Sequence, residues 1–392
     1  MAKTTKKNTY KAKSAFTDRP IVKIKVVGVG GAGGNAVTRM SDDFVRGVDL
    51  IAVNTDIQDL ETCLAKKKIH IGQIVTRGMG AGMNPDLGRQ AAEESRQEIA
   101  EALMGADMVF ITAGFGGGTG TGAAPVVAEV AKEVGALTVA VVTKPFAFEG
   151  QMRLRIAEEG IIKIKDKVDT LIIIPNDRIF SVVDNDTPVL KAFEKIDEIL
   201  KSAVQGVAEI ITSSGLVNVD FADIRAIMAG TGSAIIGVGI SSGNDRAAKA
   251  ATQAITSPLL ESSVEGATGI LFGIAGGRDL KIREIDEIAK LITENVDPGA
   301  KIIFGAYHDR KLKAGQLKVT LIATGFHRLM RREGIEPLNL FSLRQAPVES
   351  RIRVEPKKDS EIKKSGEEEE PKETKAKEDE LDIPAFLRRR KR

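Results

Sequence analysis

Tryptophan is absent from the 392 residues and only two tyrosines occur, so aromatic stacking on unpaired nucleic-acid bases is not an evident theme. A single cysteine, Cys63, excludes an intrachain disulfide and a cysteine-built metal cluster, and it reads as a small core residue in a reducing compartment. No run approaches the roughly 18 to 20 apolar residues that span a bilayer, and the N-terminus lacks the apolar block of a secretory signal. The expectation is a cytoplasmic protein that meets a membrane only through partners. Charge of one sign is missing too: 57 Lys and Arg against 54 Asp and Glu leave a formal +3, which does not call for nucleic acid.

What is present is length and alternation. A chain of this size exceeds the roughly 250 to 300 residues at which one core divides, which predicts two packed domains plus tails. Apolar runs Ile21 to Val29, Leu50 to Val53, Met108 to Thr112, Leu137 to Thr143 and Thr170 to Ile174 read as strands. Helical stretches such as Asp86 to Met104 and Ala123 to Val134 lie between them, and this alternation predicts a parallel sheet covered by helices on both faces. Ile196, Ile199, Leu200, Ala203, Val204, Val207 and Ile211 recur at spacings of three and four, so Pro188 to Thr212 reads as one long helix joining two halves. Beyond it, candidate strands Ala234 to Ile240, Gly269 to Ile274, Lys301 to Ala306 and Gln316 to Ala323, with helices Arg246 to Ile255 and Lys281 to Glu294, form a second α/β domain.

Two glycine loops each follow a strand and open a helix, where backbone N–H groups and the helix dipole favour an anion. Gly28-Val29-Gly30-Gly31-Ala32-Gly33 fits the dinucleotide fingerprint, and Asp56 stands where that reading wants a ribose-binding acid. Gly116-Gly117-Gly118-Thr119-Gly120-Thr121-Gly122 adds a second cradle, with the Thr119 and Thr121 hydroxyls available to phosphate oxygens. There is no G-x-x-x-x-G-K-[ST], which disfavours an ordinary P-loop enzyme.

The segment Ala113-Gly-Phe-Gly-Gly-Gly-Thr-Gly-Thr-Gly-Ala-Ala-Pro125 resembles the signature of the tubulin superfamily, and in particular the FtsZ family of bacterial cell-division GTPases. Gly28 to Ala36, Asn54-Thr55-Asp56, Gly80-Ala81-Gly82, Thr143-Lys-Pro-Phe-Ala-Phe-Glu-Gly150, Ile174-Pro-Asn-Asp177 and Asn218-Val-Asp-Phe-Ala-Asp223 follow in that family's order. The resemblance covers about Ile21 to Leu340 and implies a tubulin-like fold, with a Rossmann-type GTPase domain joined by a long central helix to a second, smaller α/β domain. The implied division is a disordered tail over 1–20, a GTP-binding domain over 21–187, the central helix over 188–215 and an activation domain over 216–338. A disordered linker over 339–380 and a partner-binding peptide over 381–392 complete it. Gly31, Ala32, Gly33, Gly34, Asn35, Gly118, Thr119, Gly120 and Thr121 would hold the phosphates of GTP or GDP, and Asn54 and Gly82 would also bind the nucleotide. Glu149 and Arg153 would reach the ribose and phosphate region, and Asn176, Phe193 and Asp197 would take the base. Read from the residues alone, Glu149 and Arg153 are also an ordinary i,i+4 ion pair, Phe193 a core residue and Asp197 a solvated carboxylate.

The resemblance further implies that Asn218, Asp220 and Asp223 are catalytic and act on the nucleotide of the next subunit, because the long helix sets them far from their own glycine loops. Such head-to-tail contacts build filaments. The local alternative is that Asn218 or Asp220 caps the helix starting near Phe221. Mg²⁺ is expected on the phosphates and water, with no metal ligand from the chain. Leu381 to Arg390, containing Asp382-Ile-Pro-Ala-Phe-Leu-Arg-Arg-Arg390, resembles the family's terminal peptide, which docks on membrane-tethering and regulatory division proteins such as FtsA. The implied place of work is a mid-cell ring in the cytoplasm. Two readings compete. A nicotinamide oxidoreductase would use Gly28 to Gly33 but finds only His70, His308 and His327 as histidine proton donors, while a DNA-positioning filament would expect a basic adaptor-binding tail.

Overall fold

The computed structural model describes residues 22–326, apart from 42, 43, 46, 185, 214, 258–262 and 310. The expectations for 1–20, 339–380 and 381–392 lie outside the described residues. Strands β1 (Ile24–Val29), β2 (Val48–Asn54), β3 (Lys67–His70), β4 (Met108–Gly114), β5 (Leu137–Lys144) and β6 (Thr170–Pro175) alternate with helices. These are α1 (Gly30–Ser41), α2 (Ile57–Thr62), α3 (Pro85–Glu94), α4 (Arg96–Leu103), α5 (Thr119–Glu133) and α6 (Gln151–Lys165). The second half runs α7 (Val189–Thr212), β7 (Gly215–Val217), α8 (Phe221–Met228), β8 (Gly232–Ser242) and α9 (Arg246–Ile255). It ends with β9 (Gly269–Gly276), α10 (Ile282–Glu294), β10 (Lys301–His308) and β11 (Gln316–Thr324).

All these strands share one sheet in the order β3-β2-β1-β4-β5-β6-β8-β11-β9-β10-β7. From β3 to β8 every neighbouring pair is parallel, and β11 is antiparallel to both β8 and β9. Parallel strands covered on both faces should be apolar throughout, and β4 and β5 are buried at every position but the last. Alternate side chains separate two cores: Val26, Phe110, Val139 and Ile172 pack with α1 and α7, whereas Val27, Ile111, Ala140 and Leu171 pack with α3, α4 and α5. The strand order 3-2-1-4-5-6 reverses between β1 and β4, and such a switch point opens a crevice at the strands' carboxyl ends. Both glycine loops leave from those two strands.

The long helix buries Ile196, Leu200, Ala203, Val204 and Val207, each large apolar side chain contributing about 1.5–3 kcal/mol when taken out of water. The expected helix over Asp86 to Met104 is two helices. Ser95 ends α3 and starts α4, and its hydroxyl accepts a hydrogen bond from Gly72 N–H at 3.4 Å. A serine that bonds outside the helix removes part of the advantage of continuing it. The four-residue β3 and three-residue β7 were too short to carry a periodic signal.

Candidate nucleotide site at the sheet's switch point

At the end of β1 the chain enters α1 through Gly30 at φ +72°, a conformation that suits glycine. No acidic side chain stands in the first turn of α1 or of α5, and the N-cap of α5 is Gly118, which has no side chain to accept a bond. The first N–H groups of both helices are therefore left for something else, and they open on the same space. A cavity of about 280 Å³ is lined by Gly30, Gly31 and Ala32 of the first loop and by Gly117, Gly118, Thr119 and Gly120 of the second. Gly82, Thr143, Pro145, Glu149, Arg153, Asn176 and Phe193 also line it.

The second loop is held tightly from behind. Gly118 N–H donates to Gly82 O at 2.7 Å, and a Cβ on Gly118 would lie 2.7 and 2.8 Å from the carbonyl oxygens of Ala81 and Gly82. Gly120 has the same constraint against Gly114 O at 2.3 Å. Thr119 Oγ1 shares a 2.6 Å hydrogen bond with Thr55 Oγ1, fixing the start of α5 to the end of β2. Thr121 is buried, and its Oγ1 accepts from Gly116 N–H at 3.0 Å. It stabilises the loop and does not line the cavity.

Of the other phosphate candidates, Gly34, Asn35 and Asn54 line a cavity of about 60 Å³ that shares Gly30 and Gly31 with the first. Asn54 is buried, with Oδ1 accepting from Thr55 and Asp56 N–H at 2.8 and 3.3 Å. Gly33 lines neither cavity: a Cβ there would stand 2.5 Å from Thr112 O, so this glycine lets α1 approach the sheet. Asp56, the ribose candidate of the oxidoreductase reading, caps α2 by accepting from Gln58 and Asp59 N–H. Its Oδ1 thus has a structural role that owes nothing to a ribose.

At the far side of the cavity, Glu149 Oε1 accepts from Phe146 N–H at 2.9 Å, and its Oε2 lies 3.5 Å from an Arg153 nitrogen. The i,i+4 pair therefore exists, and both members also face the cavity. Phe193 stands edge-on to buried Phe146 with ring centroids 5.4 Å apart and remains 41% exposed, leaving ring surface for a planar ligand. Asn176 is only 8% exposed, and its Oδ1 has no hydrogen-bond partner among the described residues. An orphaned buried acceptor costs about 1–3 kcal/mol, and a ligand donor entering the cavity would satisfy it. Asp197 is not among the lining residues. Its Oδ2 accepts from Arg39 Nε at 3.0 Å, and burial pushes its carboxyl pKa up despite that guanidinium. Val29, Gly30, Gly114, Phe115, Gly117, Thr143 and Pro145 complete the lining without having been singled out as site residues, although all seven sit in the quoted motifs.

The acidic loop lies beyond the other end of α7, whose 24 residues extend about 36 Å at 1.5 Å per residue. Phe193 is in the first turns of that helix, and Asn218, Asp220 and Asp223 follow its last. Asn218 Oδ1 accepts from Gly215 N–H at 2.7 Å. Asp220 occupies the N-cap position of α8, yet its side chain makes no capping bond. Both Asp220 and Asp223 are exposed, and neither carboxylate has a hydrogen bond or ion pair among the described residues. The local capping role is therefore unfilled, and the structure does not bring these three residues to the chain's own cavity.

Comparison with known proteins agrees with this geometry. The Tubulin/FtsZ family GTPase domain matches residues 23–184, and the FtsZ family C-terminal domain matches residues 232–327. The FtsZ of M. jannaschii, solved as an empty dimer, is 48% identical with a TM-score of 0.75, the match covering 78% of this chain and 89% of that one. CetZ2 from Haloferax volcanii, solved as a GTPγS-bound protofilament, shares the fold at 21% identity and a TM-score of 0.66, over 79% of this chain and 97% of that one. CetZ1 from the same organism, a GDP-bound monomer, does so at 22% identity and 0.66, over 80% and 100%. With its switch-point cavity, its two uncapped helix starts and both family domains in order, this chain belongs to the tubulin/FtsZ family and carries that family's GTPase domain.

Proposed function

We propose that the protein forms head-to-tail filaments of a cell-division ring and hydrolyses GTP where subunits meet. The Asn218 to Asp223 loop of one subunit would complete the nucleotide site of the next. One observation carries this reading: Asp220 and Asp223 are exposed carboxylates without partners among the described residues, separated by the length of α7 from a phosphate cradle that itself contains no acid in either helix start. Each chain thus has half of a hydrolytic site at each end. Exposed apolar side chains at both ends support the contact: Phe148, Phe180, Val189 and Leu190 near the cavity, and Leu216 next to the acidic loop. A surface that meets a different surface on an identical partner generates an open filament.

In this arrangement the N–H groups of Gly31, Ala32, Thr119 and Gly120 hold the phosphate oxygens. Phe193 stacks on the base, and Asn176 Oδ1 accepts a hydrogen from an exocyclic guanine amine, which adenine does not offer at that ring position. Glu149, Arg153, Gly33 to Asn35, Asn54, Gly82, Gly118, Thr121 and Asp197 hold or shape the same site. Mg²⁺ carried in with the nucleotide would offset the charge of its phosphates. Asp220 and Asp223 of the neighbour orient water for in-line attack on the γ-phosphorus and accept its proton, while the bond to the bridging oxygen breaks and GDP leaves. Asn218 places the γ-phosphate. Loss of that phosphate removes contacts from the subunit interface, so the GDP state favours disassembly.

The peptide Leu381 to Arg390 supports a bacterial-type division role and a membrane link through proteins such as FtsA, with the filament in the cytoplasm at the division site. The test is phosphate release per subunit against protein concentration, with light scattering on the same samples. Turnover that is negligible below a threshold and rises with scattering is expected. Turnover independent of concentration would mean that each monomer is complete, and the shared-site reading would fall.

A further inference from the structure

Two charged residues, Glu209 and Arg246, are among the buried positions, and the nucleotide site uses neither. Arg246 is paired within its own half by Asp279 and Glu284. Glu209 stands in the last turn of α7, where the helix dipole disfavours negative charge. Its Oε2 accepts from Lys318 Nζ at 2.6 Å and from the Tyr307 hydroxyl at 3.2 Å, while Oε1 accepts from Gln205 Nε2 at 2.5 Å. Lys318 also reaches Asp309 Oδ2 at 3.5 Å, so two carboxylates share one ammonium. A buried cluster of this kind is a poor source of stability, since apolar replacements often serve as well. It does fix geometry, because each partner allows few positions for the others.

What it fixes is the strand next to the acidic loop. Tyr307 lies on β10 opposite Gly215 of β7, with an irregular register between Ala306 and Tyr307. A Cβ on Gly215 would stand 2.2 Å from Ala306 O and 2.8 Å from Tyr307 Cβ, so the two backbones approach as closely as glycine permits. Gly215 N–H then donates to Asn218 Oδ1 at 2.7 Å, and buried Val219 lies against Gly305. The path from Glu209 through Tyr307 and Gly215 to Asn218 is continuous. Burial first, and then the Glu209 charge, push the Tyr307 phenol well above its ordinary pKa, so it stays a donor.

We propose that Glu209, Tyr307 and Lys318 are positioning residues for hydrolysis: they lock β10 to the end of α7 and thereby set where Asn218, Asp220 and Asp223 meet the next subunit's nucleotide. This rests on the shared-site reading given above. It is tested with full-length Tyr307→Phe, Lys318→Met and Lys318→Arg, measuring GTP binding by unassembled protein, sedimentable polymer, and phosphate release per polymerised subunit. Tyr307→Phe is expected to bind GTP and assemble normally while turnover per polymerised subunit falls about tenfold, as small misplacements of reacting groups do. Lys318→Met, which leaves Glu209 and Asp309 without their shared ammonium, should show the same loss of turnover together with a lower melting temperature. Lys318→Arg should keep most of the turnover. Wild-type turnover in Tyr307→Phe and Lys318→Met polymer would overturn the proposal, as would equal losses of GTP binding and turnover, which mark a general structural defect. Failure of the underlying reading appears instead in the unsubstituted protein, as turnover without polymer, and would overturn both.

Discussion

The two ends of α7 solve opposite problems. At its start, the cavity is built from backbone: Gly118 and Gly120 have no room for a Cβ, and the helix starts carry no acid to compete with a bound anion. At its finish, the start of α8 presents carboxylates that no described residue neutralises, just after a short strand tied to β10. A cradle for phosphate has to be positive and preorganised, whereas carboxylates are negative and, held permanently beside the cradle, would repel the phosphates it binds. On the proposed shared-site reading, separating them by the length of a helix lets each half bind or wait on its own, with chemistry conditional on assembly.

The sharpest way to break this contrast is to remove the carboxylates. Asp220→Ala and Asp223→Ala should bind GTP as the unsubstituted chain does, because the cavity is at the other end of α7. Turnover per polymerised subunit should drop on the order of 10²- to 10⁴-fold, the usual contribution of positioned proton acceptors. Because neither side chain has a partner among the described residues, melting temperature should hardly change. Normal phosphate release in sedimented polymer would remove the loop end from the mechanism.

A smaller effect tests the cradle end. Asn176 Oδ1 is buried without a partner in the free protein, so Asn176→Ala relieves a desolvated acceptor as well as losing a side chain. The nucleotide-free variant should be about as stable as the parent, while GTP affinity should fall about tenfold, roughly the 1.4 kcal/mol of one buried hydrogen bond. Thermal shift with and without GTP, together with titration calorimetry, separates these quantities. An unchanged affinity would take Asn176 out of base recognition.

Much of this was legible in the sequence, because the informative signals were local. Strand-glycine-helix junctions at Gly28 to Gly33 and Gly116 to Gly122, and the apolar repeat of Ile196 to Ile211, involve neighbours within a few residues. The fold's alternation followed from the same short-range patterns. What stayed hidden depends on residues far apart in the chain. Whether a glycine faces a ligand or closes a packing contact is invisible in a motif: Gly33 meets Thr112 O, while Gly31 lines both cavities. Asp197 reads as a solvated helix face, yet Arg39, distant in sequence, covers it. The Thr121 hydroxyl turns inward to Gly116, and Glu209 at a helix end gives no hint that Lys318 and Tyr307 will surround it.

The last prediction concerns how the second half is held, away from both ends of α7. The second half has an apolar core of its own, and beside it Arg246 contacts both Asp279 and Glu284. The hydrogen bond from Arg246 lowers the carboxyl pKa of each acid, Glu284 being the more enclosed. A depressed folded-state pKa contributes stability that is present above the unfolded value, near 4.3 for glutamate, and is lost as pH falls through the folded value. Glu284→Gln should therefore destabilise the protein at neutral pH by about 1–3 kcal/mol, and the difference from the parent should close as pH drops below that range. Urea unfolding at pH 7 and at successively lower pH measures it, and GTP affinity at pH 7 should be untouched because the cradle lies in the other half. A stability gap that did not narrow on acidification would mean that Glu284 acts through packing and not through its charge.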